Sequence, residues 1–396
     1  MIFYYKFRAF LVTWLLRLMP RESPIVFKGP KSAITLCEQI ALLGYTKVLI
    51  VTDEFLGASP VVGNVKQALQ DNEVEVVVYD GVLPDPTFDK VQAGEKILAE
   101  NSCEAVIAIG GGSVLDAGKM VALLHTNPGT LDDFDGISSS KNLPVPLFAI
   151  PTTAGTGSEI TLVAVISDPD THKKVAVADP KLIPSFIALD AEIMQGLPSG
   201  LTAATGMDAL THAVESYLAT SSKPATELLA KTAVRLIFKH ILNAYSNGDD
   251  LKSRDAMVLA SFYAGSAFTR TSVGYVHGIA HQLGRLCGTP HGNANAMLLP
   301  EVLRAYGPVV DDRLADLAIE VGLGNTTDSK AALAAAFIDR IEAMRTEMDM
   351  PLKPKDMSPH QVEEIVSDAI KETGELYPVP RYMARAEVAA LVKALL

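Results

Sequence analysis

Asp208, His212, His277 and His291 form a complete set of candidate ligands for one divalent metal. Asp208 and His212 stand four apart in GMDALTHAVE, and the two later histidines belong to GYVHGIAHQLGRLCGTPHGNANA. Residues four apart on a helix share a face, so the Asp-His pair can grip an ion that the later histidines enclose. Three imidazoles and one carboxylate suit Fe(II) or Zn(II) and suit Mg or Ca poorly. An ion held this way is a Lewis acid. Taken singly, an Asp-His pair at this spacing is more often a surface hydrogen bond or capping contact, and a lone HxxxH is more often structural. The conjunction favours a shared metal, because four of the eight histidines fall in these two stretches and few other ligands compete there. His281 lies one turn beyond His277 on the same face. An imidazole there suits a proton relay, since it titrates near neutrality.

A second chemistry sits upstream. The strand-like AVIAIGGGS (105–113) runs into VLDAGKMVALL, a helical pattern. Strand, glycines and helix N-terminus make an anion site, because glycine lets backbone N–H groups approach a phosphate and the helix dipole favours negative charge. Gly111, Gly112, Ser113 and Asp116 are the candidate residues. The pattern is neither GxGxxG nor a P-loop, and it also fits a plain tight turn. PTTAGTGSE (151–159) follows another buried-looking strand, with Thr152, Thr153 and Thr156 as candidate phosphate or amide contacts. A hydroxyl-rich turn is the alternative there. Asp53 ends the run TKVLIVTD, where a carboxylate can bind ribose hydroxyls and repel a 2′-phosphate, or can cap the next helix.

The elements that must position these residues divide the chain. In the first half β-rich runs (46–53, 74–81, 104–113, 144–153) alternate with helical patterns, one of them near 88–101. Apolar strands with helices between them predict a doubly wound parallel sheet of Rossmann-like α/β type. From about Thr202 onward the text is helical and Ala/Leu-rich, and Pro180, Pro184 and Pro198 punctuate the change. The predicted organisation is an apolar extension over 1–22, a dinucleotide-binding α/β domain over 23–197 and an all-helical metal domain over 198–396. A cleft between two such domains is a usual place for a small-molecule site.

At 396 residues two domains are the default. A formal charge of −12 argues against nucleic acid as a partner. Cys37, Cys103 and Cys287, an odd number without CxxC spacing, read as reduced thiols of a cytoplasmic protein. Residues 1–20 are apolar with only positive charges, and their uncharged runs are far short of a membrane span. Lys6, Thr13 and Arg17 fall on one side of a helical wheel. That pattern fits an amphipathic helix on a membrane surface or partner, or one docked on its own domain.

Together GGGSVLDAGK, PTTAGTGSE, GMDALTHAVE and HGIAHQLG followed by PHGNANA resemble the iron-containing (group III) alcohol dehydrogenases over about residues 25–390. The resemblance implies a Rossmann-like domain and a helical metal domain, NAD(H) as cofactor, Fe(II) with Zn(II) as the alternative metal, and a homodimer or larger homo-oligomer. Residue by residue it implies metal ligation by Asp208, His212, His277 and His291. His281 would lie near substrate and nicotinamide. Gly111, Gly112 and Ser113 would form the pyrophosphate loop. Thr152, Thr156 and Thr161 would contact the cofactor, Lys174 would approach the ribose, and Asp53 would select NAD. Val163, Phe268 and Arg270 would line the substrate pocket; Phe268-Thr269-Arg270 stands where family members often read Phe-Ser-Asn, and Val163 where a family member has an asparagine.

The implied reaction is reversible oxidation of a primary alcohol to an aldehyde, the metal lowering the pKa of the alcohol oxygen and the nicotinamide taking the hydride. Polyol oxidation of the glycerol dehydrogenase kind is a variant. A non-redox lyase of the dehydroquinate synthase type is an alternative, but it would need a basic cluster for a phosphate substrate, and Arg270 alone is thin support. A non-catalytic membrane-tethered scaffold has no need of four ligands.

Overall fold

The computed structural model describes residues 23–171 and 173–396. The amphipathic reading of residues 1–20 therefore lies outside the described residues. These fall into two compact units that divide between Gln195 and Gly196.

The first unit is built on a six-stranded, wholly parallel sheet. Its strands are β1 (Ile25–Lys28), β2 (Lys47–Asp53), β3 (Glu75–Val82), β4 (Ala105–Gly110), β6 (Leu147–Pro151) and β9 (Phe186–Leu189), in the order β1-β9-β6-β4-β2-β3. Every residue of β4 and β6 is buried, which explains the unbroken apolar runs in the sequence: helices cover both faces. Side chains alternate along each strand. Leu49, Val51, Val106, Ala108, Leu147 and Ala149 pack with Met120, Val121 and Leu123 of the Gly112–Thr126 helix and Val91 and Leu98 of the Phe88–Glu100 helix. Val48, Ile50, Ile107, Ile109, Phe148 and Ile150 join a separate core with Leu36 and Ile40 of the Ser32–Leu42 helix and Val65 and Leu69 of the Pro60–Asp71 helix.

The chain leaves β2 outward to β3, then returns past β2 to β4 and continues to β6 and β9. The direction of winding therefore changes between β2 and β4. Open α/β sheets bind ligands beyond the carboxyl ends of the strands at such a switch point. Asp53 ends β2 and Gly110 ends β4, so Asp53 and the glycine loop flank that position. A second sheet joins β5 (Gly136–Ile137), β7 (Val163–Ser167) and β8 (Lys174–Ala178), with β7 and β8 antiparallel and β5 parallel to β8.

The second unit is helical from Ser199 to Ala394, with no strand among its described residues. The Ser199–Leu218, Pro224–Ser246 and Leu251–Thr271 helices pack against one another. The Tyr275–Cys287 helix rests on the Val362–Leu376 and His291–Tyr306 helices, and the last of these also packs on Ser199–Leu218. Among the described residues, no helix is long and apolar enough to cross a membrane.

Candidate metal centre

Three helices of the second unit bring the candidate ligands together. Asp208 lies in the middle of Ser199–Leu218, His277 on the first turn of Tyr275–Cys287, and His291 opens His291–Tyr306. A Cβ on Gly292 would collide with the carbonyl of Ala204, so only glycine lets the His291 helix press its start onto the backbone of the Asp208 helix.

One ligand atom from each of Asp208, His277 and His291 lies within 4.8 Å of the others. Asp208 Oδ1 is 3.7 Å from His277 Nε2 and 3.3 Å from His291 Nε2. Donors on one ion at ~2.1 Å stand roughly 3.0–3.4 Å apart, so a first-row divalent metal fits with small adjustments. Asn295, fully buried, gives independent support. Its Nδ2 lies 2.7 Å from Asp208 Oδ1, 3.3 Å from His277 Nε2 and 3.2 Å from His291 Nε2, so all three acceptors converge on one electropositive group. His212 is placed differently from the equal fourth ligand that the sequence suggests. Its Nδ1 is 3.9 Å from Asp208 Oδ1, and its ring is stacked between Phe268 (4.1 Å between centroids) and His277 (4.5 Å). The tight cluster is thus of three residues, with His212 against its side.

The electrostatics favour a cation. Burial opposes ionisation of Asp208, yet His212, His291 and His277 outweigh it and hold the carboxyl well below its ordinary range. Burial likewise opposes charge on His277, but its hydrogen bonds to the Asp208 and Glu215 carboxylates, which accept, raise it to about 9. Burial lowers His291. A proton on His277 therefore competes with an ion for the same lone pair.

Two carboxylates that the sequence reading did not single out complete the centre. Glu215 Oε2 is 2.6 Å from His277 Nδ1, and Glu372 Oε1 is 2.6 Å from His281 Nδ1. Ionised carboxylates only accept, so each fixes an Nδ1–H and leaves Nε2 for other work. Glu372 also accepts from Gln282 Nε2 at 2.8 Å and from the Tyr377 hydroxyl. The ring of His281 stacks on that of His291, 5.4 Å between centroids. Glu215 had a sequence signal: it continues the Asp208–His212 face at i+7 and i+3. Glu372 had none, lying 91 residues from its partner.

In the first unit the glycine loop and the threonine loop meet. A Cβ on Gly112 would stand 2.6 Å from Thr156 Cγ2, and one on Gly111 would stand 3.4 Å from Thr153 Oγ1. Gly112 and Ser113 begin a 15-residue helix whose amide end can take an anion. Thr152 is buried after β6, and its N–H bonds Gly110 O. Thr161 and Asp116 face inward. The buried Lys119 ammonium donates to Thr161 Oγ1 (3.0 Å), Ser158 Oγ (2.9 Å) and Val163 O (2.7 Å). Asp116 accepts from Ser158 Oγ and Val165 N–H. These groups tie the threonine loop to the glycine helix from beneath. Lys174 pairs with Asp85 at 2.6 Å. Asp53 Oδ1 accepts the Leu56 N–H at 2.8 Å, so the capping alternative holds for that oxygen. Phe268 adjoins the metal cluster through His212, Val163 lies in β7 of the first unit, and Arg270 is exposed in the last turn of its helix.

Comparison with known proteins places this geometry. Residues 23–191 match the family model described as iron-containing alcohol dehydrogenase, and residues 202–396 match the model of the C-terminal part of the Fe-containing alcohol dehydrogenase family. The chain belongs to the iron-containing alcohol dehydrogenase family. It is 40% identical over 350 residues to alcohol dehydrogenase 4 of Schizosaccharomyces pombe, covering 86% of this chain and 81% of that one. Its fold superposes on the crystal structure of a 1,3-propanediol oxidoreductase with a TM-score of 0.92 at 34% identity, covering 96% of this chain and all of the other. It also matches sulfoacetaldehyde reductase from Bifidobacterium kashiwanohense, solved in complex with NAD+, with a TM-score of 0.86 at 27% identity over 96% and 98% of the two chains. In this iron-containing alcohol dehydrogenase, the alternative of a non-redox lyase is not favoured.

Proposed function

We propose that this member of the family is an NAD- and iron-dependent dehydrogenase that interconverts a primary alcohol and its aldehyde. The observation that carries the reading is the convergence of Asp208 Oδ1, His277 Nε2 and His291 Nε2 on one point. The family's iron supports Fe(II) over Zn(II), and the NAD+ complex of the sulfoacetaldehyde reductase supports NAD as the dinucleotide. The relatives' names, alcohol dehydrogenase and 1,3-propanediol oxidoreductase, support a small alcohol as substrate.

When bound, iron supplies Lewis acidity toward the alcohol oxygen, and NAD supplies the hydride acceptor. The protein's own part is division of labour. Asp208, His277 and His291 would hold the ion with His212 at its flank. Gly111, Gly112, Ser113 and the Thr152–Thr156 loop would hold the pyrophosphate at a helix N-terminus. Asp53 keeps one carboxylate oxygen beyond the one used in its cap, which would accept ribose hydroxyls and disfavour a 2′-phosphate. His281, its Nδ1–H committed to Glu372, would carry the substrate proton on Nε2. Phe268, stacked on His212, would present an apolar wall to the substrate chain.

The test is anaerobic reconstitution with Fe(II), beside a Zn(II) control, and a panel of primary alcohols and diols monitored by NADH absorbance. The expected outcome is NAD-linked turnover that disappears, together with bound iron, in His277→Ala. Undiminished turnover by a metal-free His277→Ala protein would refute the assignment.

A further inference from the structure

We propose that Glu215 is a positioning residue of the metal centre, which fixes the proton of His277 on Nδ1 and pins the turn that launches the His277 helix. The inference rests on the reading of Asp208, His277 and His291 as metal ligands.

Glu215 is buried on the same face of the Ser199–Leu218 helix as Asp208, two turns earlier, and His212, one turn earlier. Its carboxylate makes three contacts across to the second ligand helix. Oε2 accepts from His277 Nδ1 at 2.6 Å and from the Gly274 N–H at 2.8 Å, and Oε1 accepts from the Val276 N–H at 2.8 Å. Gly274 is the N-cap of the Tyr275–Cys287 helix and Val276 lies in its first turn, where N–H groups have no partner within the helix. An acid from another helix thus serves as the cap that Gly274 cannot supply, and its charge suits the positive end of the helix dipole. The fit leaves no slack, since a Cβ on Gly274 would stand 2.7 Å from Glu215 Oε1.

The turn before it is held under strain. Ser272 has φ 66° and ψ −171°, a region that residues other than glycine rarely occupy. Such a conformation persists where its surroundings over-determine it. Ser221 Oγ bonds Thr271 O at 3.0 Å, Thr271 Oγ1 bonds Ser216 Oγ at 2.9 Å, and Glu215 takes the Gly274 N–H. Every one of these restraints comes from the Asp208 helix or the residues just after it. One carboxylate therefore sets three things together: the tautomer of His277, the start of its helix, and the register of that helix against Asp208. Partners of this kind behind a ligand histidine typically change metal affinity 10–100-fold when removed.

The experiment uses full-length, metal-free protein with Co(II) as the probe. Affinity is read by competition with a chromophoric chelator, and ligand geometry by the visible d–d spectrum. Glu215→Gln keeps the shape but replaces one acceptor oxygen with a donor. It is expected to bind Co(II) roughly 10–100-fold more weakly with an altered spectrum. Ser216→Ala, which removes a neighbouring restraint on the same turn without touching His277, is expected to keep the wild-type affinity. Glu215→Asp keeps the charge but withdraws it, so it is also expected to bind more weakly; this variant decides the matter if the glutamine variant does not fold. Wild-type affinity and spectrum in a folded Glu215 variant, or an equal loss in Ser216→Ala, would overturn the proposal. Wild-type protein that binds no Co(II) would instead bring down the metal reading itself, and this proposal with it.

Discussion

Lys119→Met tests how the cofactor loops are held. The Lys119 ammonium is buried, at 1% exposure, and donates to three oxygens on the 158–163 segment, with Asp116 Oδ1 at 3.7 Å. Methionine fills nearly the same volume, so the change removes charge and hydrogen bonds rather than packing. Breaking a buried ion pair by removing one partner costs about 3–5 kcal/mol, because the other charge is left without its counterion. For a unit of this size 1 kcal/mol is about 2–4 °C in melting temperature, so a fall of roughly 10 °C is expected in the transition of the first unit. Differential scanning calorimetry would measure it, and hydrogen exchange would locate the loosening in residues 105–126 and 152–165. The double variant Asp116→Asn/Lys119→Met should recover part of the loss, because it removes the orphaned carboxylate as well. Since Thr152, Thr153 and Thr156 lie on the loop that runs into the segment that Lys119 anchors, and Thr156 Oγ1 accepts the Ser158 N–H, the KM for NAD should rise more than kcat falls. A melting temperature within about 2 °C of wild type, with an unchanged KM for NAD, would refute this account.

Other substitutions probe separate features. Gly112→Ala places a Cβ 2.6 Å from Thr156 Cγ2, so it should destabilise by about 1–3 kcal/mol and raise the KM for NAD several-fold, measurable by unfolding and steady-state kinetics. Ser272→Gly removes backbone strain of about 1–3 kcal/mol, offset by roughly 1 kcal/mol of added freedom in the unfolded chain, so a melting temperature equal to or above wild type is expected. Glu159→Gln addresses pH. Burial raises the Glu159 carboxyl from 4.5 to about 7, so between those values the folded chain holds a proton that the unfolded chain has lost. Stability from this group therefore falls as pH rises through 4.5–7 and is level above; in Glu159→Gln the melting temperature should lose that part of its slope between pH 5 and 7.

Much of this was legible in the residues. The apolar runs 46–53 and 104–113 hold β2 and β4 because strands buried on both faces need no polar alternation, and 74–81 holds β3, a half-buried strand at the sheet edge. Asp53 precedes the glycine loop in sequence, the reverse of the usual dinucleotide-fold order, and the strand order explains how both reach one place: β2 and β4 are neighbours, with β3 outside them. β1 and β9 were not foreseen, being four residues each with no pattern of their own. Nor was the small sheet, whose strands VAVIS and KVAVA are five residues each. Four site histidines and Asp208 stood out by type and spacing, but type alone could not show that His212 stacks on Phe268, or that Lys119 donates to the Thr161 hydroxyl. Glu372 was illegible because only the packing of the Val362–Leu376 helix on Tyr275–Cys287 brings it to His281.

The seat of β1 at the sheet edge has a consequence for synthesis. Ile25 pairs with Phe186, a partner 161 positions later (186 − 25), and no nearer strand offers β1 a place in the sheet. At about 5–20 residues per second, a ribosome needs roughly 8–30 s to make what β1 must dock against. During that interval the apolar Ile25, Val26 and Phe27 have no sheet to join, while β2, β3 and β4 can already pair among themselves. The first strand among the described residues is thus among the last to find its place.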